Sequence, residues 1–223
     1  MIEEKHIETK RTARYYLHGE PGPEVTDLWI ACHGYGQLGA DFVKEFDCIA
    51  APERVVVVPE ATSRFYLTAS TGYHGPDTKV GATWMTREDR ETDIADYVAY
   101  VDTLYDAIVP QTGSSPRITM LGFSQGGATA HRWLSRTSRP VHRLIMWGAL
   151  LPQDADLAKS AELFRTVELT IVYGTKDQYA DPEVISAVKK QFEISGIRHR
   201  VVTFDGGHRL DRDTLRNLAA PSN

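Results

Sequence analysis

Apolar and polar positions along this chain follow two rhythms. Short, nearly continuous apolar runs occur at residues 28–32, at 54–60 ("RVVVVPE"), at 117–124 ("RITMLGFS"), at 142–151 ("HRLIMWGALL"), at 167–177 ("VELTIVYGTKD") and at 199–208 ("HRVVTFDGGH"). Runs of this length without alternation read as strands buried on both faces. Ahead of them, residues 6–10 and 12–18 alternate and read as an opening antiparallel pair.

Between the runs the period becomes helical. The strongest case follows Arg87: Ile94, Tyr97, Val98, Val101, Leu104, Tyr105 and Ile108 share one face, Asp93, Asp96, Asp102 and Asp106 lie elsewhere, and Pro110 ends the pattern. Residues 40–50, 125–135, 155–164, 182–195 and 211–218 are weaker helices by the same test. The alternation predicts one α/β domain over residues 1–223. Its central sheet is mostly parallel, with an antiparallel N-terminal edge and helices on both faces.

One segment breaks the alternation. Residues 61–85, "ATSRFYLTASTGYHGPDTKVGATWM", show no clear period. A loop that long in a compact domain is functional or disordered. Its aromatics Phe65, Tyr66, Tyr73 and Trp84 favour an ordered loop, placed near the active site.

Composition narrows the class. At 223 residues and 42% hydrophobic content, one full core is feasible. The net charge of −5, without any run of lysine or arginine, argues against a nucleic-acid partner. Cys32 and Cys48 sit in apolar surroundings and read as reduced thiols. The N-terminus lacks an apolar signal core, and no stretch approaches the ~20 apolar residues of a membrane span. The expectation is a soluble, cytoplasmic protein that needs no metal or other cofactor, because its histidines do not pair with carboxylates or cysteines at ligand spacings. Oligomeric state is left open, a homodimer included.

The chemistry centres on "GFSQGG". A G-x-S-x-G match arises by chance in roughly one chain of this length in fifteen, so the context decides. Here Ser124 follows a buried strand and opens a helix, as a nucleophile on a sharp strand-to-helix turn must. A serine needs a base, and His208 in "FDGGHRL" lies just beyond the last predicted strand. The base needs an acid: Asp177 follows a strand end, Asp181 is the near alternative, and Asp205 reads better as a turn residue. The chain order Ser124, Asp177, His208 is that of the α/β-hydrolase fold. Oxyanion donors are expected from the backbone N–H of Gln125, at a helix start, and from that of Tyr35 in the glycine-rich "HGYGQLGADF".

With these residues placed, the chain resembles the phospholipase/carboxylesterase family of α/β-hydrolases, which includes the acyl-protein thioesterases. The matching pieces are "HGYGQLGADF", "GFSQGG", "YGTKDQYAD" and "GGH", in family order from about Asp27 onward. The resemblance implies Ser124 as nucleophile, Asp177 as acid, His208 as base, and the N–H groups of Tyr35 and Gln125 as oxyanion donors. It also implies Trp84 as a wall of the acyl or alcohol pocket. Met85, Phe65 and Leu151 are assigned to the same pocket, Leu151 from "GALLP", a loose match to the family's pocket-lining segment. The expected activity is hydrolysis of small to medium acyl esters, as a bacterial-branch serine esterase with a small-molecule ester substrate. The alternatives are a thioesterase or lysophospholipase on longer chains, and a non-catalytic binding protein on the same fold.

Overall fold

The computed structural model describes residues 1–68, 74–149, 151–152 and 154–220. Strand β1 (Tyr15–His18) leads into β2 (Asp27–Cys32), the one-turn helix α1 (Gly39–Phe42), a 3₁₀ turn over Val43–Ile49 and β3 (Arg54–Pro59). A hairpin of β4 (Ser63–Tyr66) and β5 (Val80–Thr83) precedes the long helix α2 (Arg90–Ile108). The remainder alternates: β6 (Arg117–Phe123), α3 (Gln125–Leu134), β7 (Arg143–Trp147), α4 (Leu157–Thr166), β8 (Glu168–Gly174), α5 (Pro182–Ile194), β9 (His199–Phe204) and α6 (Arg212–Ala219).

Seven strands form one sheet in the order β1-β3-β2-β6-β7-β8-β9. All neighbours run parallel except β1, which pairs antiparallel with β3. Successive side chains of a strand point to opposite faces, and this splits the core in two. Leu28, Ile30, Val55, Val57, Met120 and Leu144 pack beneath α2 with Trp133 and Phe164. Trp29, Val56, Val58, Leu121, Ile145 and Trp147 pack on the other face against Phe42, Phe46, Leu215 and Leu218. In α2 the buried positions are Ile94, Tyr97, Val101, Leu104, Tyr105 and Ile108, with Val98 half-buried at the margin of the expected stripe.

Three expectations need correction. Residues 6–10 form no strand, and β1 joins the edge of β3 instead. An isolated pair buries too little to persist, whereas the unpaired edge of a large sheet offers a complete row of partners. Residues 40–50 are not one α-helix. The chain turns once as α1 and then winds more tightly, which lets Phe42, Phe46 and Ile49 all face the sheet.

The third correction concerns residues 61–85, which hold the β4–β5 hairpin where a loop was expected. Its strands are four residues each and small at Gly81 and Ala82, too weak a pattern to announce themselves. The hairpin is secured from outside: Gly36 donates to the Ala82 carbonyl at 2.9 Å and Ala82 donates to the Gln37 carbonyl at 3.2 Å. Glu60, buried at the end of β3, anchors the same corner by accepting from Arg14 at 2.6 Å, Arg64 at 3.0 Å and the Gly39 N–H at 3.0 Å. Tyr73 lies outside the described residues.

Candidate active site

The parallel strands end at one edge of the sheet, and there the chain makes a tight turn from β6 into α3. Ser124 sits at the turn with φ 54° and ψ −119°, a region non-glycine residues rarely occupy. The turn is held by the Ser124 N–H, which donates to the Trp147 carbonyl at 2.8 Å, and by Gly127, which donates to the Ser124 carbonyl at 2.9 Å. Glycine is required on either side of the serine because backbones approach so closely. A Cβ on Gly126 would lie 2.1 Å from the Cys32 carbonyl oxygen, and one on Gly122 2.1 Å from that of Gly126.

His208 and Asp177 meet beside this turn. His208 Nδ1 is 2.7 Å from Asp177 Oδ2, and Asp177 Oδ1 accepts the Tyr179 N–H at 2.9 Å, so both carboxylate oxygens are engaged. The two competing acids are occupied elsewhere. Asp181 caps α5 through the Glu183 N–H at 2.8 Å, and Asp205 pairs with Lys176 on the surface at 2.6 Å. The imidazole is flanked by Phe123 and Tyr179, each with its ring centroid 4.8 Å away. Phe123 is the residue before Ser124, so imidazole and serine share one corner. Among the described residues no hydrogen bond joins Ser124 Oγ to His208; such contacts often tighten only when substrate is bound.

The loop after β2 faces the same turn: a Cβ at Gly34 would lie 3.2 Å from Ser124 Cβ. Within this loop the Gly34 N–H donates to Gln37 Oε1 at 2.8 Å and the Gly36 N–H to the Ala82 carbonyl. Between them, the Tyr35 N–H has no hydrogen-bond partner among the described residues. The Gln125 N–H, first in α3, is likewise left over by the helix. Two unpaired donors at the turn suit an oxyanion.

The side chain of Gln125 has a part that sequence reasoning missed. Its Nε2 donates to the Met85 carbonyl at 2.8 Å and to Thr83 Oγ1 at 2.9 Å, while Oε1 accepts the Trp84 N–H at 3.2 Å. The start of α3 is thereby clamped to the end of β5. Trp147 was missed too: its indole donates to the Arg209 carbonyl at 2.9 Å and fixes the His208 loop. In sequence, Trp147 looks like any apolar strand residue.

The four expected pocket residues lie in different settings. Phe65 stands 5.1 Å from the Tyr35 ring. Trp84 is buried, donates its indole N–H to the His33 carbonyl at 2.8 Å and packs edge-on to Tyr97, so it props the Tyr35 loop from beneath. Met85 places its sulfur 3.3 Å from Arg132 Nη1, and Leu151 is half-buried against the core. None of the four lines the two cavities that abut the corner of Ser124 and His208. One is an apolar cavity of about 20 Å³ between Gly148, Ile171, Tyr179 and Ile185; the other, about 300 Å³, lies between Gln37, Phe123, His208 and Arg212.

His33 is buried; its Nδ1 lies 2.8 Å from the Gly34 carbonyl and its Nε2 accepts the Ala61 N–H at 3.0 Å. Burial holds its imidazole below the usual range despite the bond to the Gly34 carbonyl, which favours the neutral form this pattern needs. Glu4, His6 and Asp89 are near enough to share a cation, but all are exposed and their ion pairing accounts for the arrangement. No helix among the described residues is long and apolar enough to cross a membrane.

Known proteins share this architecture. A search of curated proteins by sequence finds no match. Among solved structures, the esterase PE8 superposes with a TM-score of 0.67 at 20% identity, covering 94% of this chain and 97% of that one. Acyl-protein thioesterase 2 of Zea mays gives 0.68 at 14% identity, covering 93% and 96%. A carboxylesterase from Mesorhizobium loti gives 0.66 at 18% identity, covering 94% and 95%. At such identities these likenesses establish the shared fold. The profile of one family, Phospholipase/Carboxylesterase, matches residues 19–220, nearly the whole chain. This chain belongs to the phospholipase/carboxylesterase family of α/β-hydrolases.

Proposed function

We propose that the protein is a serine carboxylic-ester hydrolase working through an acyl-enzyme on small to medium acyl esters. Ser124 attacks the ester carbonyl, and His208 takes the hydroxyl proton and returns it to the departing alcohol. Asp177 holds the imidazole tautomer and stabilises the imidazolium. The N–H groups of Tyr35 and Gln125 receive the oxyanion, and water then releases the acid by the reverse sequence of proton transfers. The observation that carries this reading is the pairing of His208 with Asp177 at 2.7 Å, beside a serine held at positive φ. Strain of that kind persists where the surroundings enforce it for a purpose.

Chain length is inferred from the cavities. The apolar cavity between Gly148 and Ile185 is the smaller of the two beside Ser124 and His208, which supports short acyl chains over long ones. The larger opening at Gln37 and Arg212 suits a bulkier, more polar alcohol portion. We place the protein in the cytoplasm, consistent with its two free cysteines, Cys32 buried and Cys48 half-buried.

Two measurements test the proposal. A fluorophosphonate probe should label Ser124, and peptide mapping that found no adduct there would favour a binding protein. Specificity kcat/KM should peak at butyryl or shorter along a p-nitrophenyl ester series, since each methylene is worth at most about 1–3 kcal/mol of discrimination. A peak at octanoyl or beyond would favour the thioesterase or lysophospholipase reading.

A further inference from the structure

Another cavity lies at the opposite end of the sheet. Strands β7, β8 and β9 run parallel, so their C-terminal ends reach the Gly148, Asp177 and His208 corner while their N-terminal ends open on this other space. Five to seven residues of strand separate the two, roughly 16–23 Å at about 3.3 Å per residue. The cavity measures about 640 Å³, within the size range of small-molecule sites. Arg143, Arg165, Arg198, His199 and Arg200 line it, with Glu168 as the one acid among the lining residues.

The charges here are unbalanced. Many arginines elsewhere are matched to acids, among them Arg14 to Glu60, Arg54 to Asp27, Arg132 to Asp154, and Arg139 to Asp102 and Asp106. Around this cavity, Glu168 is taken by Arg117 at 2.6 Å from the side. None of Arg143, Arg165, Arg198 and Arg200 forms an ion pair among the described residues. In a chain whose net charge is −5, four unmatched guanidinium groups around one hollow stand apart.

Arg143 makes the hollow more than a basic surface. It is only 8% exposed, its Nη1 donates to the Leu218 carbonyl at 2.6 Å, its Nε lies 3.3 Å from Thr119 Oγ1, and its guanidinium sits 4.8 Å over the Trp29 ring. All of these partners are uncharged, and Nη2 has no hydrogen bond among the described residues. Burial, reinforced by neighbouring Arg117, pushes this guanidinium down to about 10. A buried cation is costly unless something anionic meets it.

We propose that this cavity binds a small molecule carrying a multiply charged phosphate group, with Arg143 at the floor and Arg165, Arg198 and Arg200 at the rim. Guanidinium forks match phosphate oxygens two at a time, and four of them exceed what one carboxylate would neutralise. The rim arginines are exposed and adjustable, while Arg143 is fixed by Leu218 and Trp29.

Isothermal titration calorimetry on the intact chain with inorganic tripolyphosphate, pyrophosphate and phosphate, at constant ionic strength, tests this. Expected is saturable binding of one tripolyphosphate per chain, with weaker binding down the series. The Arg198→Ala/Arg200→Ala double variant, altered only at exposed positions, should bind at least about tenfold more weakly with ester hydrolysis unchanged. Arg143→Lys, its fold checked by circular dichroism, should weaken binding similarly, because it keeps the charge and loses the fork. No saturable binding up to roughly 10 mM, a double variant with wild-type affinity, or binding of a single-stranded oligonucleotide without binding of tripolyphosphate would each overturn the proposal.

Discussion

Trp147 donates its indole N–H to the Arg209 carbonyl at 2.9 Å, and its own carbonyl accepts the N–H of Ser124. A single residue of β7 thus holds the candidate nucleophile through its backbone and the loop of the candidate base through its side chain. Trp147→Phe removes the second hold and leaves the Arg209 carbonyl without its indole partner. It should lower stability by about 1–3 kcal/mol and kcat by roughly 10–100-fold, with a smaller change in KM. Denaturant unfolding and p-nitrophenyl ester kinetics measure both, and unchanged kinetics in a folded variant would show that the His208 loop does not need this anchor.

Gln125 is expected to act twice, through its N–H at the oxyanion and through its side chain as a clamp on Thr83, Trp84 and Met85. Gln125→Leu keeps the N–H and loses the clamp. We expect kcat to fall roughly 10–100-fold with KM nearly constant, the pattern of an interaction made mainly in the transition state. An equal fall from raised KM alone would point to substrate contact instead.

The acid assignment separates cleanly by mutation. Asp177→Asn should cost on the order of 10⁴ in kcat by disturbing the His208 tautomer. Asp181→Ala should leave kcat within about threefold and lower stability by about 1 kcal/mol, because it removes the cap on α5. The reverse ranking would move the acid to Asp181.

His131 gives stability a pH dependence. It is 2% exposed, stacks on Phe164 with centroids 4.9 Å apart, and neither ring nitrogen has a hydrogen-bond partner among the described residues. Burial, reinforced by neighbouring Arg132, lowers its pKa from 6.5 to about 4. With a depressed folded pKa, the neutral form carries full stability above about pH 6.5. Below that the unfolded chain takes the proton first, and stability falls until about pH 4, by about 3 kcal/mol. Unfolding free energies at pH 7 and pH 4.5 for wild type and His131→Phe check this: the variant should lose less over that interval, and parallel losses would exclude His131 as the cause.

Several of these features were legible before folding and others were not, for physical reasons. Strands β2 and β6 show because a parallel sheet covered on both faces demands unbroken apolar runs, and α2 shows because one helix face must be apolar. Ser124, Asp177 and His208 stand at strand ends whose order the fold fixes. Its place at a strand end already favours Asp177 over Asp181, but either follows β8, and only hydrogen bonding tells a partner from a cap. The β4–β5 hairpin was hidden because its register comes from Gly36 and Gln37 rather than from its own pattern. The indole of Trp147 and the amide of Gln125 were invisible for a related reason: composition announces that a side chain will be buried, not which carbonyl it will reach.

The central claim is that Ser124 forms the acyl-enzyme. It is tested most directly by kcat for p-nitrophenyl butyrate in wild type and in Ser124→Ala, whose fold is verified by thermal unfolding. The expected result is a loss on the order of 10⁴–10⁶ in kcat. Hydrolysis by the folded Ser124→Ala variant at the wild-type rate would contradict the account.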